Sequence, residues 1–479
     1  ERNLATRTSI VRRQLRDFVF IWTGITLMLA GCTFFAIYLA YGGLIETTSD
    51  ALTRNNVPNT PQPTVAAQLA AQATVPPTRQ LEPTATRTLA PTATSAATVT
   101  EQQPPTPTPT TLPVDDTTFQ VGIQVQQSLD GNPDNQRGWM NDVYTNLGLR
   151  WFKQQVRWED IEPEQGQYNW QLLDLVLPSA AEFPGLRVML SIVTAPDWAR
   201  EPGIDTSREG PPANPQDYVN FVTAILERYP GMVHAIEVWN EQNIDREWTS
   251  TGGLSAANYV ALLRVTYQAV KNIDPGIIII SGALSPTGLS DGIRAWDNFT
   301  YTDQLINAGM LNYTDCMGAH HNGYNIGPSV TWDAVPNDPS AQFRGPFENP
   351  HHSWSFRSTL ETYARKIANA GGDQPLCVTE FGWAVSEGIT GFDTPGFEFA
   401  NDNTPEEQSE FTIEALNNMR DWGFVWLAFL WNLNYGPQAG WSPDNDNVPY
   451  SIIGPDWQHR PVYGALRDWQ SEYMASIGR

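Results

Sequence analysis

The chain has 479 residues and a formal net charge of −24, with 52 acidic against 28 basic side chains. So negative a protein repels phosphate backbones, which excludes a nucleic-acid partner bound through a basic surface. Three cysteines exclude a disulfide-rich scaffold, whereas 18 tryptophans are more than a core requires and leave aromatic surfaces free for a ligand.

The N-terminal part of the chain predicts a membrane anchor. Residues 1–17 carry a net charge of +3, and residues 18–45 contain no charged side chain. As a helix, the uncharged run would extend about 42 Å, more than the roughly 30 Å hydrocarbon core of a bilayer. The arginines flank only its N-terminal side, so the positive-inside rule places residues 1–17 in the cytoplasm. We therefore expect a transmembrane helix over 18–45 and an extracytoplasmic location for everything that follows.

Two other interpretations of residues 18–45 stay open. A cleaved signal peptide would normally have a shorter apolar core than this one. The Leu-Ala-Gly-Cys sequence that ends at Cys32 resembles a bacterial lipoprotein cleavage box, but the apolar run continues past that cysteine. The length of the run favours a retained helix over both alternatives.

A linker is predicted over residues 46–114, where Thr, Pro, Ala and Gln dominate. This composition lacks the apolar side chains that would offset the entropy of ordering, so we expect a disordered or polyproline-like segment. At about 3.1 Å per residue it could reach at most roughly 200 Å.

Residues 115–479 alternate short apolar runs with amphipathic helical stretches. Eight runs are typical of strands, and they begin at Phe119, Trp151, Arg187, Ala235, Ile277, Cys316, Leu376 and Trp426. Strands of this kind, separated by helices, indicate a parallel sheet covered by helices. Eight such units predict an α/β fold, the (β/α)₈ TIM barrel, rather than an open doubly wound sheet, which would show a glycine-rich loop after its first strand.

Two glutamates follow predicted strands at the end of a barrel where catalytic residues usually lie. Glu241 follows the fourth strand and Glu380 closes the seventh. Carboxylates three units apart would face each other across the barrel mouth. Glycoside hydrolysis needs such a pair, one as proton donor and one as nucleophile or base. A single glutamate at a strand end is usually structural, but the pair predicts a catalytic site.

The stretch WEDIEPEQGQYNW (158–170) resembles the second βα loop of clan A glycoside hydrolases, and the region 119–469 is nearest in style to families 39 and 5. The resemblance implies that Glu241 is the acid/base, that Glu380 is the nucleophile and that Asn240 hydrogen-bonds the sugar 2-hydroxyl. Two close carboxyls do not ionise together easily, so we expect Glu241 to stay protonated and Glu380 to be ionised. Hydrolysis would then retain the anomeric configuration.

The chain departs from the clan pattern on two strands. On strand two, Lys153 stands where the clan usually has arginine, with Arg157 four residues further along the same strand face; lysine offers a point charge rather than a fork of donors. Strand six of the clan usually ends His-x-Tyr. Here His320 is the expected substrate-binding histidine, Asn322 stands at the tyrosine position, and Tyr324 is the candidate to reach the same place from a longer loop.

Aromatic side chains complete the predicted substrate site. Trp431 stands where the resemblance implies a tryptophan beneath the sugar, and Trp198 and Trp383 are further candidates for stacking on a sugar face. Core packing is the alternative for each.

No cofactor or metal is predicted. The neighbouring histidines at 320–321 and 351–352 point in different directions, and we find no Asp/His set of suitable spacing to join them. For Cys316 and Cys377, on the neighbouring sixth and seventh strands, we expect buried free thiols, because adjacent parallel strands rarely present disulfide geometry.

Together these features predict a membrane-tethered retaining glycosidase that acts on a β-linked oligo- or polysaccharide. A non-catalytic glycan-binding barrel for adhesion or wall sensing is the alternative from another class, and a transglycosylase is a third. The presence of both glutamates together with Asn240 favours the enzyme.

Overall fold

The computed structural model describes residues 118–479. The predicted cytoplasmic segment, membrane helix and linker, at 1–17, 18–45 and 46–114, lie outside these residues. Between residues 118 and 479, no helix combines the length and apolar character needed to cross a membrane.

Eight parallel strands form one sheet, in the order β5-β4-β3-β2-β1-β8-β7-β6. Their bounds are β1 Gln120–Gln124, β2 Trp151–Arg157, β3 Arg187–Val193, β4 Ala235–Val238, β5 Ile278–Ser281, β6 Met317–Gly323, β7 Leu376–Trp383 and β8 Val425–Leu430. An isolated parallel bridge between Ile280 and Cys316 joins β5 to the start of β6 and nearly closes the ring. The predicted (β/α)₈ barrel is thereby confirmed.

Each strand is followed by one of eight longer helices. Their bounds are α1 Pro133–Asn141, α2 Gln171–Ala181, α3 Pro215–Arg228, α4 Ala256–Ile273, α5 Asn298–Asn307, α6 Phe356–Asn369, α7 Pro405–Trp422 and α8 Pro461–Ser476. Short helical segments interrupt the loops, as at Trp158–Ile161, Gly345–Glu348 and Tyr435–Ala439.

Local sequence explains where most of these helices begin. Six of the eight start after a side chain that accepts a hydrogen bond from the first turn, at Asn132, Asn214, Ser255, Asp297, Ser355 and Thr404. At α7, Thr404 and Glu407 form a reciprocal capping box with Pro405 as the first helical residue. Such caps satisfy amide groups that a helix start leaves unpaired.

The barrel interior changes from apolar to polar along the strands. Its apolar layer consists of Trp151, Met189, Ala235, Ile280, Cys316, Cys377, Leu427 and Phe429. Side chains alternate across a strand, so residues two positions further along also face inward. On four strands these residues are polar and buried: Lys153, Ser191, Glu237 and Thr379. The polar layer lies between the apolar floor and the barrel mouth.

A bulge in β7 turns two consecutive side chains inward. Ala319 pairs with Val378 and His320 pairs with Glu380, so Thr379 is an extra residue on the β7 side of the ladder. Val378 belongs to the core cluster outside the barrel, whereas Thr379 and Glu380 both contact the interior polar layer. A β-bulge commonly re-aims a side chain in this way next to an active site.

The two barrel cysteines form a disulfide, so the prediction of free thiols was wrong. Cys316 precedes β6, and its Cα lies 5.7 Å from that of Cys377, within the range that a disulfide spans. In the β6–β7 ladder Cys377 pairs with Gly318, so the two cysteines meet diagonally rather than directly across the strands. Our expectation rested on the rarity of disulfide geometry between neighbouring parallel strands, which this diagonal placement overcomes.

Candidate active site

Glu241 follows β4 on a strained turn. Trp239 and Glu241 have φ angles of 74° and 44°, in the left-handed region that side chains other than glycine rarely adopt. The Trp239 amide donates to the Ile192 carbonyl at 3.1 Å, and the Glu241 amide donates to the Ala283 carbonyl at 2.8 Å. The neighbouring strands therefore hold the turn that carries the carboxylate.

Asn240, which lies between Trp239 and Glu241 in the chain, is 8% exposed. Its side-chain oxygen is buried without a hydrogen-bond partner among residues 118–479. A buried amide oxygen with no partner can accept a hydrogen bond from a substrate hydroxyl.

His320 brings the two predicted catalytic carboxylates to one place. Its Nδ1 lies 3.2 Å from Glu241 Oε1, and its Nε2 lies 3.8 Å from Glu380 Oε1. The imidazole is 1% exposed, and burial by itself would lower its pKa. The charge of Glu380 and the hydrogen bond to Glu241 outweigh burial and raise the pKa of His320 above its ordinary value.

Glu380 lies among groups that favour its charged form. Lys153 Nζ donates to Glu380 Oε1 at 2.8 Å, and the Asn322 side chain also hydrogen-bonds the carboxylate. Burial would raise the pKa of Glu380, but His320, Lys153 and Asn322 together lower it below the ordinary value. Glu380 is therefore arranged to be ionised at neutral pH, as a nucleophile must be.

Lys153 also contacts a second carboxylate, which the sequence analysis missed. Its Nζ lies 3.5 Å from Glu237 Oε2, and both side chains are fully buried. The Thr379 hydroxyl donates to Glu237 Oε1 at 2.6 Å. Burial would lower the pKa of Lys153, but Glu380 and Glu237 raise it. An acidic residue inside the apolar run of β4 was the available signal.

On β6, the residue that replaces the clan tyrosine contacts Glu380 itself. Asn322 makes this contact, whereas Tyr324 is 4% exposed and packs against Trp354 and Phe399, at ring-centroid distances of 4.7 and 5.0 Å. Tyr324 thus belongs to an aromatic cluster beneath the β6 loop. Asn322 thus contacts Glu380, whereas the Tyr324 phenol interacts with the charge of Glu241, and its part in substrate binding stays a prediction.

Arg157 forms its ion pairs with carboxylates other than Glu380. Its guanidinium pairs with Glu159 and Glu209, each at 2.5 Å. These ion pairs lie at the C-terminal end of β2, above the lysine that does contact Glu380. The structure therefore separates the roles of the two basic side chains that the sequence analysis placed on one strand face.

The three predicted stacking tryptophans have different surroundings. Trp431 lies beside Lys153, whose Nζ is 5.8 Å from its ring centroid. Trp198 is half-buried at the end of β3, where its indole N–H donates to the Glu162 carbonyl at 2.9 Å.

Trp383 is a core residue, so the prediction that it stacks on a sugar needs correction. It is 1% exposed, and its indole N–H donates to the Ile326 carbonyl at 3.0 Å. The ring packs against Phe356 and Phe411 in the layer between sheet and helices. No face of the indole is free for a ligand.

Three metal-capable side chains lie together in the described part of the chain: Asp297, His351 and His352. The sequence analysis did not foresee Asp297 as a partner of the histidine pair, because it lies 55 positions from His352. The imidazole Nε2 of His352 is 2.7 Å from one oxygen of Asp297, and the other oxygen caps α5. These hydrogen bonds account for the geometry, and the absence of a metal stays a prediction.

Comparisons with known proteins add information on the fold. No protein-family model matches the chain, and no curated protein matches it. A family 39 glycoside hydrolase from the gut symbiont Bacteroides cellulosilyticus WH2 is 17% identical with a TM-score of 0.50, over 74% of this chain and 64% of that chain. A GH5_18 from Bifidobacterium longum subsp. infantis is 14% identical with a TM-score of 0.50, over 74% and 79%.

The chain thus spans less than two thirds of the length of that family 39 structure. At these identities the likeness shows a shared barrel fold, and both neighbours are glycoside hydrolases by name.

Proposed function

We propose that the protein is a retaining glycoside hydrolase in which Glu380 is the nucleophile and Glu241 is the acid/base. One observation carries the proposal: a single imidazole, His320, contacts both carboxylates, and a fully buried lysine pairs with one of them. The two carboxylates thus share one polar site but have different partners. A double displacement needs this difference, because one group must be ionised while the other holds a proton.

In the first step, an oxygen of Glu380 attacks the anomeric carbon and the bond to the leaving oxygen breaks. Glu241 gives its proton to that oxygen, so the aglycone leaves as a neutral alcohol and a glycosyl ester remains on Glu380. In the second step, water attacks the anomeric carbon and gives a proton to Glu241, while the Glu380 carboxylate leaves. Two inversions at one carbon give net retention.

The substrate proposed is a β-linked oligo- or polysaccharide. Asn240, with its unpartnered side-chain oxygen, would bind the 2-hydroxyl. Trp431, beside Lys153, would lie beneath the reacting sugar, and half-buried Trp198 would extend the aromatic surface at β3. His320 and Asn322 would position the carboxylates rather than exchange protons with the sugar.

Azide rescue with aryl β-glycosides tests the assignment. Glu380→Gly should abolish turnover, and azide should restore it and give a glycosyl azide of inverted configuration. Glu241→Ala should still react with substrates that have good leaving groups, and azide should then give a product of retained configuration. A retaining enzyme has its two carboxyl groups about 5–5.5 Å apart and gives products with the configuration of the substrate. Inverted products from the wild-type enzyme would therefore contradict the proposal.

A glycan-binding barrel without activity is the second candidate. It predicts that wild-type protein binds oligosaccharides but releases no aryl group, and that both glutamate variants bind equally well. The strained turn at Glu241 and the lysine beneath Glu380 favour the enzyme, since a binding surface does not require either. Competition between water and added sugar acceptors would separate hydrolysis from transglycosylation.

We further propose that the barrel lies outside the cytoplasm, tethered through residues 18–45 and the linker 46–114. The uncharged run and its basic flank support this topology. The disulfide between Cys316 and Cys377 also supports it, because such bonds persist mainly in oxidising compartments. Protease added to intact cells should release a barrel-sized fragment, and Cys32→Ser should leave the tether intact. Protection of the barrel until lysis would reverse the topology.

A further inference from the structure

A row of charged side chains connects the end of β2 to the proposed acid/base. Arg157 pairs with Glu209 at 2.5 Å, and Glu209 is hydrogen-bonded to Glu247. Arg246 Nη2 lies 2.7 Å from Glu247 Oε1 and 3.7 Å from Glu241 Oε2. The mechanism above uses none of the residues between the two ends of this row.

Glu209 and Glu247, here called the acidic pair, have unequal surroundings. Glu209 accepts hydrogen bonds from Arg157 and from the Thr194 hydroxyl, the latter at 2.7 Å. Glu247 is 8% exposed, and apart from Arg246 the carboxyl that it meets is Glu209. A hydrogen bond between two carboxyls requires a proton on one of them, and these partners place it on Glu247.

The pKa directions agree with this placement. Burial and the charge of Glu209 raise the pKa of Glu247 well above its ordinary value, although Arg246 opposes them. Burial would raise the pKa of Glu209 as well, but Arg157 and Thr194 lower it. The acidic pair therefore carries one negative charge, on the member that already pairs with Arg157.

A neutral Glu247 leaves the charge of Arg246 without a full counterion. The guanidinium side chain is 18% exposed, so water screens it little. Its Nε and Nη2 are buried and make no well-aligned hydrogen bond among the described residues. The other carboxylate within ion-pair distance is that of Glu241.

We propose that the acidic pair shares one proton and thereby directs the charge of Arg246 toward Glu241, where it favours release of the catalytic proton. This inference rests on the proposed role of Glu241. Arg246, Glu247 and Glu209 are positioning residues, because they act through Glu241. As Glu241 gives up its proton, its new charge is balanced by Arg246. When Glu241 regains the proton from water, Arg246 is again held only by the carbonyl oxygen Oε1 of the protonated Glu247 carboxyl.

The charged and titratable groups around the two glutamates come from several elements. Facing Glu247 are Glu209, Arg246 and Glu241. Facing Glu241 are Arg246, His320, Tyr324, Tyr363 and Glu247. Arg157, with its second partner Glu159, fixes the charge of the acidic pair from β2.

The test is the alkaline limb of the pH profile of kcat/KM, which reports loss of the acid's proton. Arg246→Gln removes a cation that faces the acid, so the limb should move to higher pH by about 1 unit or more. Glu209→Gln should move it in the same direction, because Glu247 then ionises and takes Arg246 as its own partner. Glu247→Gln copies the protonated carboxyl and should leave the limb in place.

Two further variants serve as controls. Arg208→Gln removes a neighbouring surface cation that pairs with Asp245, and it should not move the limb. Arg246→Lys keeps the positive charge, so its alkaline limb should lie close to the wild-type position. This variant serves even where the glutamine variant folds poorly. If Glu247→Gln moves the limb to lower pH by about 1 unit or more, Glu247 is ionised in the wild type and the proposal is wrong. An unmoved limb in all variants would overturn it equally.

Infrared spectroscopy of the full chain tests the shared proton without turnover. At pH 7, the difference spectrum between wild type and Glu247→Gln should contain the carbonyl band of a protonated carboxyl. A carboxylate band in its place would refute the shared proton. If the proposed hydrolase activity fails, this measurement still decides whether the acidic pair holds a proton, so the two failures are distinguishable.

Discussion

Replacement of Lys153 by methionine tests whether the interior charges of the barrel are organised as described. Lys153 Nζ lies 2.8 Å from Glu380 and 3.5 Å from Glu237. With an effective dielectric constant of about 20, these attractions are about 6 and about 5 kcal/mol at distances of 2.8 and 3.5 Å. Loss of water by the three groups offsets much of this. Removal of one partner from a buried ion pair therefore costs about 3–5 kcal/mol of unfolding free energy.

The assay is equilibrium urea unfolding of wild type and Lys153→Met, followed by tryptophan fluorescence. At pH 7 we expect the loss of about 3–5 kcal/mol. The loss should shrink at pH 5, because the buried carboxyls that have lost their cation take up protons more easily. Each carboxyl that does so reduces the loss by about 1.4 kcal/mol per pH unit.

Two variants make the comparison specific. Lys366 pairs with Asp303 at 2.6 Å, but more than half of that aspartate side chain is exposed, so Lys366→Met should cost at most about 1 kcal/mol. Combining Lys153→Met with Glu237→Gln should recover part of the stability. A loss for Lys153→Met as small as that for Lys366→Met, or an equal loss at pH 7 and pH 5, would refute the reasoning.

Three further predictions concern pH, the disulfide and the tryptophans. Burial and Arg187 lower the pKa of His234 to about 4, below its unfolded value. The contribution of neutral His234 to the unfolding free energy is therefore complete above about pH 6.5 and falls by up to about 3 kcal/mol by pH 4. Urea midpoints should accordingly fall more steeply with acid for wild type than for His234→Gln. Replacing both disulfide cysteines by alanine should cost about 4 kcal/mol, since the bond joins positions 61 residues apart; an unchanged melting curve would contradict this. Trp431→Ala should lower kcat/KM at least about tenfold, equivalent to about 1.4 kcal/mol, whereas Trp383→Ala should lower stability by about 3–5 kcal/mol; the reverse pattern would exchange their assignments.

The barrel itself was predictable because its signals are local. The strands at Trp151 and Arg187 begin at the residues where the sequence predicts them, and helix α7 begins at a threonine-proline cap. Chain direction then decides which end of each strand meets the mouth. Glu241 and Glu380 could therefore be assigned to one edge of the barrel without coordinates.

The surroundings of these carboxylates depended on contacts between residues far apart in the chain. Lys153 is 227 positions from Glu380, and the bulge at Thr379, which turns that glutamate inward, has no recognisable sequence pattern. Register between strands decided that Cys316 meets Cys377 diagonally, and it placed Asn322 against Glu380. The order of the strands follows from backbone and apolar patterns within each unit. The charge that each carboxylate carries follows from its neighbours, and only the closed barrel brings those neighbours together.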